Sequence, residues 1–153
     1  MDLQLAHSVW IGLAATAVMT LLLYLLPLVG FPKTDIAYIL GSMLRAPTHR
    51  AAYYGLGLHF AMGVIFAFLY GFAYLTLDVS PSWWIGILSG IVHWLSVMLA
   101  MNPFAELHVE MRERRMRRPG LFMTNLGAEF AVASAVRHIS FGALVGFLFD
   151  VYG

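Results

Sequence analysis

The sequence predicts an all-α integral membrane protein. Its expected form is a four-helix bundle of two parallel halves, each a spanning helix, a surface helix and a second spanning helix. Three observations carry this. The 153 residues are 61% hydrophobic and 11% charged, with a mean hydropathy of +0.80. A soluble domain is roughly half apolar and about a quarter charged, so this chain has too little polar surface to cover a water-facing globule. Four apolar segments reach the roughly 20 residues needed to cross a bilayer. Finally, one phrase is written twice: His59-Phe-Ala-Met-Gly63 leading to Phe68-Leu69-Tyr70, and His138-Ile-Ser-Phe-Gly142 leading to Phe147-Leu148-Phe149.

Taken in order, the first span is expected over residues 9–29. It opens with Trp10-Ile11-Gly12, and the preceding Met1-Asp2-Leu3-Gln4 lacks the basic region of a signal peptide, so the segment reads as a retained helix. Pro32 and Asp35 then suit the start of a short helix, where proline is tolerated and an acid favours the dipole. Ile36, Ile39, Leu40, Met43 and Leu44 keep helical spacing, as an amphipathic helix on the membrane surface requires. The second span covers residues 51–77 and ends in the tight turn Asp78-Val79-Ser80-Pro81.

The third span, residues 82–101, opens with Trp84-Ile85-Gly86 and so repeats the start of the first. In that register Val18 matches Val92, Leu21 matches Leu95, Leu25 matches Leu99, and Met19 falls opposite His93. Pro103, Glu106, Leu107 and Met111 answer the first connector with a second surface helix, on which Phe104, Leu107 and Met111 share a face. The fourth span covers residues 126–149. Residues 1–153 thus form one transmembrane domain, with halves at about 8–77 and 82–150. A β-barrel is excluded because the apolar runs do not alternate with period two.

Net charge is only +1, but its placement is informative. Lys33, Arg45 and Arg50 lie between the first two spans, and Arg112, Arg114, Arg115, Arg117 and Arg118 between the last two. The middle turn carries no basic residue. The positive-inside rule therefore puts both basic loops in the cytoplasm and both termini outside, in a multi-pass protein of the cell membrane. Trp10, Trp83 and Trp84 fall where interfacial aromatics belong.

Three histidines stand out within the spans. Gly55, His59, Gly63, Phe66 and Tyr70 share one helix stripe, and Ser134, His138, Gly142, Val145 and Phe149 another. Gly86, Ser89, His93, Ser96 and Ala100 form a third, almost entirely of small residues that let membrane helices approach closely. At 1.5 Å per residue, His59 lies about 12 Å beyond Ala51 and His93 about 12 Å before Met101, so a single layer of His59, His93 and His138 is expected. A neutral imidazole in hydrocarbon needs a hydrogen-bond partner. Ser89, Ser96, Ser134 or a backbone carbonyl supplies one in the simplest reading.

In the alternative, Gly63 and Gly142 leave room beside His59 and His138 for a b-type haem held from both sides. A further alternative is a transition metal on His59, His93, His138 and Met19. Arg137 lies well inside the fourth span, where a guanidinium costs roughly 2.5 kcal/mol or more, and it calls for an anion: a lipid phosphate, a partner's acid or a haem propionate.

Glu106, His108, Glu110 and Glu113 lack the Glu-x-x-His spacing of di-iron bundles. They fit better as a solvated helix end with i,i+4 pairs Glu110–Arg114 and Glu113–Arg117, its arginines facing anionic headgroups. No nucleic-acid partner is expected. The absence of cysteine excludes disulfides and thiolate ligands, and the nine methionines are too scattered for a copper motif. No phosphate loop, nucleophile elbow or Ser-His-Asp constellation can be picked out, so catalysis is not expected.

The phrases Gly12-Leu-Ala-Ala-Thr-Ala-Val-Met-Thr20, His59-Phe-Ala-Met-Gly63, Met101-Asn-Pro103 and His138-Ile-Ser-Phe-Gly-Ala-Leu-Val-Gly146 together resemble an uncharacterised family of small four-span prokaryotic membrane proteins. The resemblance implies a topology and no activity. Three functions are therefore expected in competition. The leading one is a non-catalytic accessory or structural subunit of a larger membrane complex, with other subunits or further copies of itself as partners. The others are a haem- or metal-binding electron-transfer protein, and a small transporter or proton pathway. The unbroken spans weigh against transport, since transport sites usually sit at helix breaks.

Overall fold

A computed structural model describes residues 2–153. It contains six α-helices: α1 (Asp2–Leu25), α2 (Ile36–Met43), α3 (Thr48–Thr76), α4 (Trp83–Leu107), α5 (Val109–Arg112) and α6 (Ala128–Tyr152). No strand occurs among the described residues. Four stretches, Ala6–Val29, Thr48–Thr76, Trp83–Leu107 and Ala128–Tyr152, are long and apolar enough to cross a membrane. The molecule is thus an all-α four-helix bundle of the expected class.

Local sequence explains the boundaries. Pro27 sits in the 3-10 turn Leu26–Val29 that closes α1, and Gly30 ends that turn at φ 97°, where a side chain would be strained. The Asp35 carboxylate caps α2 by accepting from the Tyr38 N–H at 2.9 Å. Ser82 caps α4 in the same way. Gly127, at φ 129°, turns the chain into α6, and Glu129 lies in that helix's first turn.

Lipid tails are as apolar as leucine, so membrane helices associate through close packing and hydrogen bonds rather than hydrophobic burial. Here α1 packs on both α3 and α6, and α4 packs on α6. Two of these seams close on glycine. A Cβ on Gly12 would lie 2.6 Å from Val64 Cα and 2.9 Å from Gly63 O. Gly86 meets the backbone of Gly142 in the same manner, and a Cβ on Gly142 would lie 2.7 Å from Gly90 Cα. The matched residues Val18 and Val92, Leu21 and Leu95, and Leu25 and Leu99 all face outward. By contrast α3 and α4, although joined by a short turn, stand apart and touch through long side chains.

Ile11, Ala15, Ala67, Tyr70, Tyr74, Phe141, Val145 and Phe149 form the apolar core, weighted towards the end with the α3–α4 turn. At the opposite end α2 lies across α3, its backbone at Ala37 and Gly41 seated against Gly55 and Ala51.

Three expectations need correction. The second connector is not a surface helix like α2. Helix α4 runs through Pro103 to Leu107, and only the four-residue α5 follows. Pro103 forfeits one backbone hydrogen bond near the helix end, while Ala105 and His108 beyond it are buried and hold the extension in place. The buried line of α4 runs through Gly86, Gly90, His93, Met98 and Ala105, and leaves Ser96 and Ala100 exposed. On α2, Leu44 lies past the helix and is exposed. The buried residues are Leu40, Gly41 and Ser42, because the small Gly41 permits the closest contact with α3.

Candidate functional site: an intramembrane polar row

All three span histidines are buried, each 8% exposed. His93 is central. Its ring stacks on Phe66 with centroids 3.8 Å apart, its Nδ1 lies 3.2 Å from the Tyr70 hydroxyl, and it meets His138 edge to face at 4.8 Å. His138 Nδ1 lies 2.8 Å from the Ser134 carbonyl oxygen and 3.3 Å from Ser134 Oγ. A carbonyl only accepts, so Nδ1 carries the proton, and Nε2 is the acceptor in the neutral ring. One turn beyond Tyr70, the Tyr74 hydroxyl bonds Ser89 Oγ at 3.2 Å.

His59 lies within electrostatic reach of both His138 and Arg137. Its Nε2 is buried without a hydrogen-bond partner among the described residues. Arg137 is itself only 6% exposed and enters none of the ion pairs found there. The fold therefore brings His93 and His138 into contact, with His59 and Arg137 beside them. Met19, from the matching position on α1, packs against the apolar core. Among the described residues, no three His, Cys, Asp or Glu side chains are gathered so as to hold a metal ion.

The space expected beside the repeated histidines is filled by the helices themselves. Gly63 receives the Thr16 side chain, and Gly142 receives the α4 backbone at Gly86 and Gly90. Of the serines expected to serve histidines, only Ser134 does so. Ser89 pairs with Tyr74, and Ser96 bonds back to the Val92 carbonyl.

Helical spacing alone does not single out Tyr70 and Tyr74 as partners. The signal that could have found them is a tyrosine hydroxyl on a buried stripe within a span, a group that must find a partner there. His108 also carries more than its place in a charged connector suggests. It is 0% exposed, and its Nε2 lies 3.0 Å from the Ile39 carbonyl oxygen and 3.3 Å from Ser42 Oγ. It thereby ties α2 to the end of α4.

The arginine-rich loop pairs differently from the expected i,i+4 pattern. Helix α5 stops at Arg112 and Arg114 turns the chain at φ 60°, so helical spacing is lost. Arg115 instead reaches Glu110 at 2.6 Å and also Glu113, while Arg118 pairs with Glu106. The hydrogen bond from Arg115 holds the Glu110 carboxyl below the usual carboxylate range. Hydrogen bonds to Glu110 and then Glu113 push the Arg115 guanidinium up in turn. Arg112, Arg114 and Arg117 enter none of the ion pairs, and they help line an open hollow of about 420 Å³.

No protein-family model matches the chain, and neither a curated protein nor a solved structure shows significant similarity to it.

Proposed function

We propose that this chain is a small multi-pass subunit of the cell membrane that serves a larger membrane complex without catalysing a reaction itself. Arg137 carries the reading. A guanidinium within a span costs roughly 2.5 kcal/mol or more, and none of the carboxylates in the observed ion pairs offsets it. An acidic side chain from a partner's membrane helix would supply the missing anion. The unpaired arginines of the α5 loop would then face anionic lipid headgroups on the cytoplasmic side, with both termini outside, as positive-inside bias favours.

We read the two halves as a duplication. The matched glycine contacts, Gly12 with Gly63 and Gly86 with Gly142, support that reading. So does the shared outward exposure of the paired valines and leucines.

Extraction from the native membrane in mild detergent tests the subunit reading. The wild-type chain is expected to migrate with a larger complex, and Arg137→Glu to be released from it. Reversing the charge of the partner's acid should restore the complex in the Arg137→Glu background. A wild-type chain that migrates alone sinks the reading. A Soret absorption band lost in His59→Ala and His138→Ala would replace it with electron transfer.

A further inference from the structure

We propose that Tyr74, Ser89, Tyr70, His93, His138 and Ser134 form a proton relay along the inside of the bundle. This goes beyond the subunit reading and does not rest on it.

The seam between α3 and α4 is unlike the others. The α1–α3 and α4–α6 seams close on glycine, but here the gap is held open and filled by Phe66 and by side chains with exchangeable protons. Tyr74 bonds Ser89 at 3.2 Å, Tyr70 bonds His93 at 3.2 Å, and His138 bonds the Ser134 carbonyl at 2.8 Å. Two breaks interrupt the row, neither bridged by a hydrogen bond among the described residues, and both are measured between ring centroids. The rings of Tyr70 and Tyr74 stand 6.2 Å apart edge to face, and His93 and His138 stand 4.8 Å apart.

The row also runs lengthwise. Ser89 lies about 9 Å into α4 from Trp83, and Ser134 about 9 Å into α6 from Ala128. Because Gly90 lies against His138 and Gly86 against Gly142, the row from Ser89 to Ser134 covers about 10 Å in the middle of a bundle about 37 Å long, measured along α4. At the turn end, a hollow of about 210 Å³ lined by Tyr74, Asp78, Ser80 and Pro81 opens directly onto its first member.

The chemistry suits imidazole. A ring accepts a proton on one nitrogen and releases the other proton from its second nitrogen, so one N–H bond forms as another breaks. His138 is set for this. Nε2 is left to accept, and the Nδ1 proton, held by the Ser134 carbonyl, passes to the Ser134 hydroxyl at 3.3 Å, which releases its own proton onward. When Tyr70 donates to His93 Nδ1, His93 Nε2–H becomes the donor on the side facing away from the tyrosine. Each hop leaves the ring in its other tautomer, and a ring flip restores the starting arrangement before the next proton enters. The net result is one proton moved, with no other bond changed and no oxidant or reductant required.

The neighbours are accounted for. Phe66 and Tyr70 of α3 and His138 and Phe141 of α6 surround His93. Ser134, His93, Arg137 and His59 act on His138. A row serving only as interhelical glue would tolerate loss of its exchangeable protons wherever packing was kept, and the test uses that difference.

The test is proton flux into vesicles containing the purified full-length chain and an internal pH-sensitive dye, driven by a potassium–valinomycin potential. Flux above that of protein-free vesicles is expected. Tyr70→Phe, which keeps the ring and removes only the hydroxyl, and His93→Phe should each lower it at least tenfold. Ser96→Ala, on the exposed face of α4, should leave it unchanged. Helical signal and thermal midpoint are measured on every variant, so that loss of fold is not read as loss of relay. Folded wild-type protein with no flux above the protein-free control overturns the proposal. So does flux that survives in a folded Tyr70→Phe variant, or flux abolished equally in Ser96→Ala. None of these outcomes bears on whether the chain joins a complex.

Discussion

At His108 one ring does the work of a staple between elements distant in sequence. Its Nε2–H reaches the Ile39 carbonyl and lies beside Ser42 Oγ, while Nδ1 is buried without a partner among the described residues. Replacing it with leucine removes one of two side-chain donors to the Ile39 carbonyl, the Ser42 hydroxyl at 3.0 Å remaining, and should cost about 1.5 kcal/mol. The expected readout is faster amide exchange throughout α2, with the spans little affected. Equal loosening of α6 would show that the ring does not act locally. Ser42→Ala should cost less, under about 1.5 kcal/mol, because the Ile39 carbonyl keeps the imidazole. The three span histidines were legible from their stripes, since a helical period fixes which face a residue shares. Their partners were not. Tyr70 meets His93 only because α3 and α4 stand a side chain apart, and no spacing within one helix encodes that distance. Arg137 was legible as an anomaly, while its proximity to His59 depends on how α3 and α6 are set.

At the scale of elements, the helix contacts rest on backbone approach, and a single methyl group tests them. A Cβ at Gly142 would press on Gly90 Cα at 2.7 Å and on the Gly86 backbone, which has no flexible end to yield. Gly142→Ala should therefore destabilise by about 1–3 kcal/mol, the usual cost of overpacking. Gly57 is also helical, but a Cβ there would meet nothing within 4 Å, so the same change should stabilise by up to about 1 kcal/mol. Thermal melts in one detergent compare the two directly, and equal effects would refute glycine-mediated contact at Gly142. The α5 loop behaves differently because its ion pairs are solvent-exposed and individually weak. Glu110 has its ionisation held below the usual range by Arg115, so its contribution is present above the unfolded value near 4.5 and is lost as pH falls through the lower, folded one. Acidification through that window should speed amide exchange over residues 109–118 before the spans respond, and simultaneous loss would contradict a separable loop. The sequence placed α2 correctly because Asp35 and the apolar spacing after it are local signals. It misplaced the second surface helix because the extension of α4 beyond Pro103 is secured by distant burial of Ala105 and His108.

At the scale of the molecule, composition and segment length were enough to identify a bundle with four candidate spans, because the bilayer imposes one length and one polarity on every crossing element. The relation between the halves was legible only as a register. The packing adds that Gly12 and Gly63 meet as Gly86 and Gly142 do, and also that α1 closes on α6 while α3 stands off from α4. On the duplication proposed above, one tight and one open seam would account for methionine as the counterpart of His93. Met19 faces a closed apolar core, and His93 faces the seam that its own side chain helps to fill. Four crossings would also fix a relation that needs no symmetry: the α3–α4 turn would lie on the same side as both termini, and the arginine loop opposite. The native chain has no cysteine, so single cysteines report without background. Ser80→Cys in the turn and Arg117→Cys in the loop both place the thiol on an exposed position. A membrane-impermeant maleimide applied to intact cells should label Ser80→Cys and reach Arg117→Cys only after lysis. The opposite pattern would reverse the orientation drawn from the basic loops. Labelling of both without lysis would rule out a chain that crosses four times, since the turn and the loop would then share one side.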